Sequence, residues 1–197
     1  MSPAGEFSAG ILRAASVQVL RAANRPRAGR ESARLWTFPA VSAAMRKTVS
    51  LMTIYYLLLP FAAALPGIAF TPGHWYAALQ KPAGTPPGIV FPVAWTLLYL
   101  LMGIAVARVA RTSHPLRQAA LRLFYLQLLL NAAWTVFFFG LQQPVFALVD
   151  LLMLDAAVLL TLLVFRRIDR VAGALLLPYL LWIAFATYLN AGIVWLN

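Results

Sequence analysis

Cysteine is absent from this chain, which excludes disulfides, thiolate metal sites and thiol catalysis. Acidic residues are scarce, five against 16 lysines and arginines in 197 residues. No nucleophile elbow, phosphate-cradling glycine loop or zinc-ligand spacing occurs, and there is no internal repeat of about 20 to 50 residues. These absences leave no recognisable catalytic apparatus, metal site or cofactor site.

Apolar residues are what the chain has in abundance. It is 62% hydrophobic and 11% charged, with a mean hydropathy of +0.80, more apolar surface than a soluble domain of this size can hide. Five continuous apolar runs reach the roughly 20 residues needed to cross about 30 Å of hydrocarbon as a helix. They cover residues 49–70, 90–109, 120–141, 144–165 and 171–195. Barrel strands would alternate, and these runs do not. The expected fold is therefore an all-α membrane protein, a bundle of five transmembrane helices.

The net charge of +11 is read by location. With five spans, every lysine and arginine except Lys81 falls on the side of the N-terminus: Arg46 and Lys47, then Arg108, Arg111, Arg117 and Arg122, then Arg166, Arg167 and Arg170. Positive residues are retained on the cytoplasmic side, which predicts the N-terminus inside. The charge is a topology signal, and no nucleic-acid partner is expected. His74 and His114 lie in predicted loops on opposite sides, so they cannot share a metal.

Residues 1–47 are rich in arginine, alanine and serine and are expected to form a disordered basic extension outside the membrane domain of 48–197. They read either as an organellar transit peptide or as translated upstream sequence, Met45 then being the true start. A bacterial membrane is expected on the second reading and an organellar one on the first.

Polar and aromatic residues at depth carry the functional signal. Gln127, Asn131, Trp134 and Phe138 share one helical stripe, as do Tyr179, Trp182, Ala186 and Asn190, and Trp95, Tyr99 and Met102 make a third. Trp182 and Trp134 lie roughly 16 Å and 10 Å from the ends of their spans, too deep for an interfacial belt. Trp75, Trp95 and Trp195, near span ends, fit a belt or a cavity equally. The stripes predict a cavity of flat apolar faces with a few amides; helix-to-helix packing is the plain alternative. Asp150 and Asp155, the acids within the spans, are about 140° apart around their helix and form no carboxylate pair. Each is either a protonated acid bonded to a neighbouring helix or part of a proton path. The connector 71–91 between the first two spans, "WYAALQKPAGTPPGIVFP" over most of its length, is stiffened by proline.

The set Trp75-Tyr76, Leu79, Lys81-Pro82, Pro86-Pro87, Trp95, Tyr99 and Met102-Gly103 resembles the signature of the TspO/MBR family, the translocator proteins once called peripheral-type benzodiazepine receptors. So do "LQLLLNAAW" at 126–134, "ALVDL" at 147–151 and "PYLLWIAFATYLN" at 178–190. The likeness runs in order over residues 49–197. It implies a five-helix bundle, often a homodimer in the lipid bilayer, that binds protoporphyrin and other tetrapyrroles, and in some members sterols or isoquinolines. By motif position the pocket would use Tyr76, Trp95, Asn131, Trp134, Trp182 and Ala186, with Trp75, Lys81, Pro82, Pro86 and Pro87 in a lid over its mouth. The role implied is a sensor or regulator of porphyrin levels. The alternatives are light- and oxygen-dependent porphyrin breakdown, with Trp95 and Trp182 the candidate electron donors, and transport, with Asp155 in a proton-linked route. Gly84 and Ile89 stand where many members carry aromatics, and no basic residue follows Arg170, so the sterol motif at the end of the last span is unsupported. Gly103 and Ala107 form a small-x-x-x-small pair suited to helix dimerisation.

Overall fold

A computed structural model describes residues 51–197. The expected extension 1–47 lies outside the described residues. Five helices are long and apolar enough to cross a membrane: α1 (Leu51–Ala69), α3 (Val90–Ala110), α4 (Arg117–Gly140), α5 (Pro144–Ile168) and α6 (Arg170–Leu196). A short helix, α2 (His74–Ala78), sits in the connector between α1 and α3. The connector is therefore not all loop, and His74 opens a helix.

Three of the spans depart from ideal helix. Pro60 lacks an amide donor and starts a 3-10 stretch over Leu59–Ala64 in α1, and Pro66 begins its last turn. The final turn of α4, Val136–Gly140, widens to a π-helix, a form that recurs at functional sites. Leu176 marks a break between the first six residues of α6 and its long remainder, whose first turn carries Pro178.

Tight connectors make α3, α4, α5 and α6 run alternately up and down. Leu141–Gln143 joins α4 to α5, with Gln142 left-handed at φ 54°. α5 is the most buried span, packing along both α4 and α6. The core between the helices includes Met102, Val106, Phe124, Phe165, Tyr179 and Ile183, with Phe124 and Phe165 stacked at 5.9 Å.

α1 packs against both α3 and α4, and it meets α3 at one very close approach. A Cβ on Gly103 would lie 2.6 Å from the Leu57 carbonyl oxygen, so the missing side chain is what lets the two backbones meet. The small-residue pair expected to serve dimerisation is thus occupied within the chain at Gly103.

At the opposite end of the bundle from α2, Arg108 at the end of α3 pairs with Asp169, the single residue between α5 and α6, at 2.8 Å. Asp169 also accepts from the backbone N–H groups of Val171 and Ala172, capping α6 and satisfying otherwise orphaned donors. Burial pushes its carboxyl up, but the Ala172 N–H, the Arg108 guanidinium and the Val171 N–H outweigh it and hold the group below its ordinary value of 3.8. A depressed carboxylate contributes stability that is full above the unfolded value and lost as pH falls through the lower folded value. Asp169→Ala is expected to cost about 1 kcal/mol at pH 7, mostly through the lost cap. In thermal unfolding, the gap between the variant and the parent should narrow as pH drops below about 4; a gap constant with pH would refute the assignment.

Candidate functional site

Between the five spans, beneath the connector, lies a cavity of about 780 Å³, within the range of small-molecule sites. Three indoles from three helices line it: Trp95 of α3, Trp134 of α4 and Trp182 of α6. Trp95 and Trp182 meet edge to face, 6.5 Å between centroids at 84°. Trp134 stacks on Phe138 at 5.1 Å and 19°. Ala63, Gly67 and Ile68 of α1 complete the wall.

The two asparagines of the long stripes are bonded to other helices, whereas the buried Gln127 amide has no hydrogen-bond partner among the described residues. Asn131 accepts from the Tyr99 hydroxyl at 3.3 Å and donates to the Tyr179 hydroxyl at 2.9 Å, tying α3, α4 and α6. Asn190 accepts from the Trp134 indole N–H at 3.1 Å and donates to the Pro144 carbonyl at 2.8 Å, tying α4, α6 and α5. Such bonds hold membrane helices together, and here they also fix the Trp134 plane. The expected polar face of the cavity is therefore largely used up internally.

All six expected pocket residues, Tyr76, Trp95, Asn131, Trp134, Trp182 and Ala186, are brought together around this one cavity. Of the expected lid residues, Lys81 and Pro86 line it, whereas Trp75, Pro82 and Pro87 do not. Trp75 instead lies edge-on to Phe138 at 5.5 Å, and Trp195 faces outward, 89% exposed. Gln127 is buried outside the cavity wall. Asp150 and Asp155 also stand off the wall, Asp155 accepting from the Thr187 hydroxyl of α6 at 2.8 Å. Phe91 and Phe139 are lining residues that sequence reasoning missed. The π-turn carries Phe139 there, out of step with the stripe that ends at Phe138, and a fixed 3.6-residue period hides it.

The connector is fastened to one face of α6. Asn197 brackets the backbone of Gln80, its Oδ1 accepting from the N–H at 2.9 Å and its Nδ2 donating to the carbonyl at 3.1 Å. The Tyr188 hydroxyl donates to the Ala83 carbonyl at 3.0 Å. Between them Pro82 sits in the notch of Gly192, where a Cβ would come within 2.6 Å of the proline ring. Gly84 turns the chain at φ 82°, a left-handed conformation that disfavours any side chain with a Cβ. Tyr76 packs against Phe138 and Phe139, and its burial pushes the phenol up, so it remains a protonated donor at neutral pH. Gly192→Val is expected to unseat the connector by overpacking worth about 1 kcal/mol or more. Cleavage of residues 80–89 by a non-specific protease should then rise about fivefold with no comparable drop in the bundle's unfolding temperature; unchanged cleavage would show that the notch does not hold the connector.

Five spans enclosing a ligand-sized aromatic chamber under a proline-stiffened cover define an integral, multi-pass membrane protein with an aromatic chamber among its spans. The chain belongs to the TspO/MBR family, whose model matches residues 53–196. It is 41% identical to the tryptophan-rich protein TspO of Chlorobaculum tepidum, over 69% of this chain and 89% of that one. It is 40% identical to the tryptophan-rich sensory protein of Cereibacter sphaeroides, over 69% and 85%. It is 38% identical to the translocator protein of Homo sapiens, over 68% and 83%.

Proposed function

We propose that this protein is a membrane receptor for tetrapyrroles such as protoporphyrin, acting as a sensor or regulator of porphyrin levels. The observation that carries the reading is the convergence of Trp95, Trp134 and Trp182 on one chamber whose amides are already bonded elsewhere. Such a chamber favours a large, flat, mostly apolar ligand held by aromatic contact. Relatives named as a sensory protein and as a translocator support sensing or transport at a membrane as the coarser role.

A second reading is favoured by one feature. Trp95 and Trp182 touch each other on the wall, where a bound photosensitiser would lie beside two indole electron donors; this is the light- and oxygen-dependent breakdown reading. Proton-linked transport through Asp155 draws less support, since that carboxylate is bonded to Thr187 away from the chamber wall.

A dark titration of the purified protein with protoporphyrin, followed by illumination in air, separates the readings. Saturable quenching of tryptophan fluorescence with no new absorption bands under light is the result expected of a receptor. New product bands that require the protein would favour the enzyme. Absence of saturable quenching would reject tetrapyrrole binding.

A further inference from the structure

The chamber wall is uneven in charge. Among the described lining residues Lys81 is the one basic side chain, and none is acidic. Lys81 is also solvent-exposed, so it stands where the chamber meets water, whereas Tyr99, Leu151, Leu154 and Ile183 form its buried end.

The ammonium is positioned but not neutralised. Its Nζ donates to the carbonyls of Leu79 at 3.2 Å and Ala77 at 3.4 Å and lies 4.8 Å from the centre of the Tyr76 ring. Those contacts anchor it to the end of α2, and among the described residues no carboxylate pairs with it; the one salt bridge described is Arg108–Asp169. Of the other polar groups on the wall, Asn131, Asn190 and the Trp134 indole are engaged with one another's helices, whereas Tyr76, Thr135, Trp95 and Trp182 offer neutral donors. An anionic substituent entering this chamber therefore meets a single cationic group, at the mouth.

We infer that Lys81 is a specificity-determining residue that selects tetrapyrroles bearing ionised carboxylates and orients them with the acid edge at the connector and the apolar edge against the buried end. The inference rests on the tetrapyrrole reading and adds to it both a substrate class and a direction of entry. Carboxylates of the ordinary kind are ionised near neutral pH, so the pairing is charge-assisted. Because the mouth is wet, the pair contributes modestly and is sensitive to salt. The same ammonium could equally meet a lipid phosphate, so the test is run in uncharged detergent and repeated in vesicles containing an anionic phospholipid.

Protoporphyrin and its dimethyl ester share one macrocycle and differ at the acid edge, where two methyl esters replace two ionised carboxylates. In dark fluorescence titrations at low salt the parent protein should bind the acid about fivefold more tightly than the ester, as expected for a charge pair at an accessible site. Lys81→Met should bring that ratio to about one by weakening the acid more than the ester, and Lys81→Arg should retain the preference. Raising salt should shrink the ratio in the parent protein and not in the Met variant. Anionic vesicles should lower acid affinity more in the parent protein than in the Met variant, because surface repulsion acts on both and competition for the ammonium only on the parent. Equal binding of acid and ester by the parent protein would overturn the inference and leave the tetrapyrrole reading standing. Equal weakening of both ligands by Lys81→Met would also overturn it, reducing the residue to a cap on α2. Binding of neither would remove the tetrapyrrole reading and this inference with it.

Discussion

Phenylalanine at position 186 is expected to weaken saturable binding of protoporphyrin at least tenfold, about 1.4 kcal/mol, while the bundle stays folded. Ala186 lies on the inward face of α6, one turn from Trp182 and one turn from Asn190, the residue that accepts the Trp134 indole N–H. It is the small residue between the positions that present two of the three indoles. Its side chain borders the chamber and is only half-buried, so an added ring enters open volume, and the cost of overpacking a closed core does not apply. The ring instead occupies the space where a flat ligand would contact Trp134 and Trp182. A dark titration and a thermal unfolding curve on the same preparation check both halves of the expectation. Undiminished quenching by an Ala186→Phe variant would place the ligand elsewhere.

Valine at position 103 is expected to act on the fold, lowering stability by roughly 3 kcal/mol, or about 10 °C in unfolding temperature for a domain of this length. The obstacle to a Cβ at Gly103 is backbone: the Leu57 carbonyl oxygen at 2.6 Å and Cα at 2.9 Å. Backbone cannot rotate away as a flexible side chain would, so α1 must leave α3. α1 is the least buried of the five spans, and it supplies Ala63, Gly67 and Ile68 to the chamber wall. Binding should therefore fall together with stability. Gly67→Val is the matched control, because a Cβ there meets nothing within 4 Å. Equal effects of the two substitutions in thermal unfolding would show that the Leu57 contact does not hold α1.

The spans were legible because bilayer thickness fixes their length and lipid demands unbroken apolar runs. Apart from the start of α1, which coincides with the first described residue, their ends fall within a few residues of expectation, as at Pro144, where proline fits the first helical turn. The inward faces were legible too, since Asn131 and Trp134 on one helix and Trp182 and Ala186 on another repeat with the helical period. Periodicity names a face, however, and not its partner. It could not show that Asn131 would be used up between Tyr99 and Tyr179, or that Gly103 would face Leu57 inside the same chain. It assumes one helical pitch, so the π-turn at Val136–Gly140 and the position of Phe139 were hidden. The connector's fastening was invisible for another reason: Tyr188, Gly192 and Asn197 read as ordinary residues of the last span until Ala83, Pro82 and Gln80 are placed against them.

Two indoles, Trp134 and Trp182, face a protein-lined chamber, while Trp195 points outward from the bundle. Variants that retain one of these three tryptophans, with phenylalanine at the other tryptophan positions, can be reconstituted into bilayers whose acyl chains carry bromine, a contact quencher. The Trp195 variant should be strongly quenched by the brominated lipid, and the Trp134 and Trp182 variants only weakly. Quenching of Trp134 and Trp182 as strong as that of Trp195 would mean that they look out at lipid, and would contradict the chamber and the function built on it.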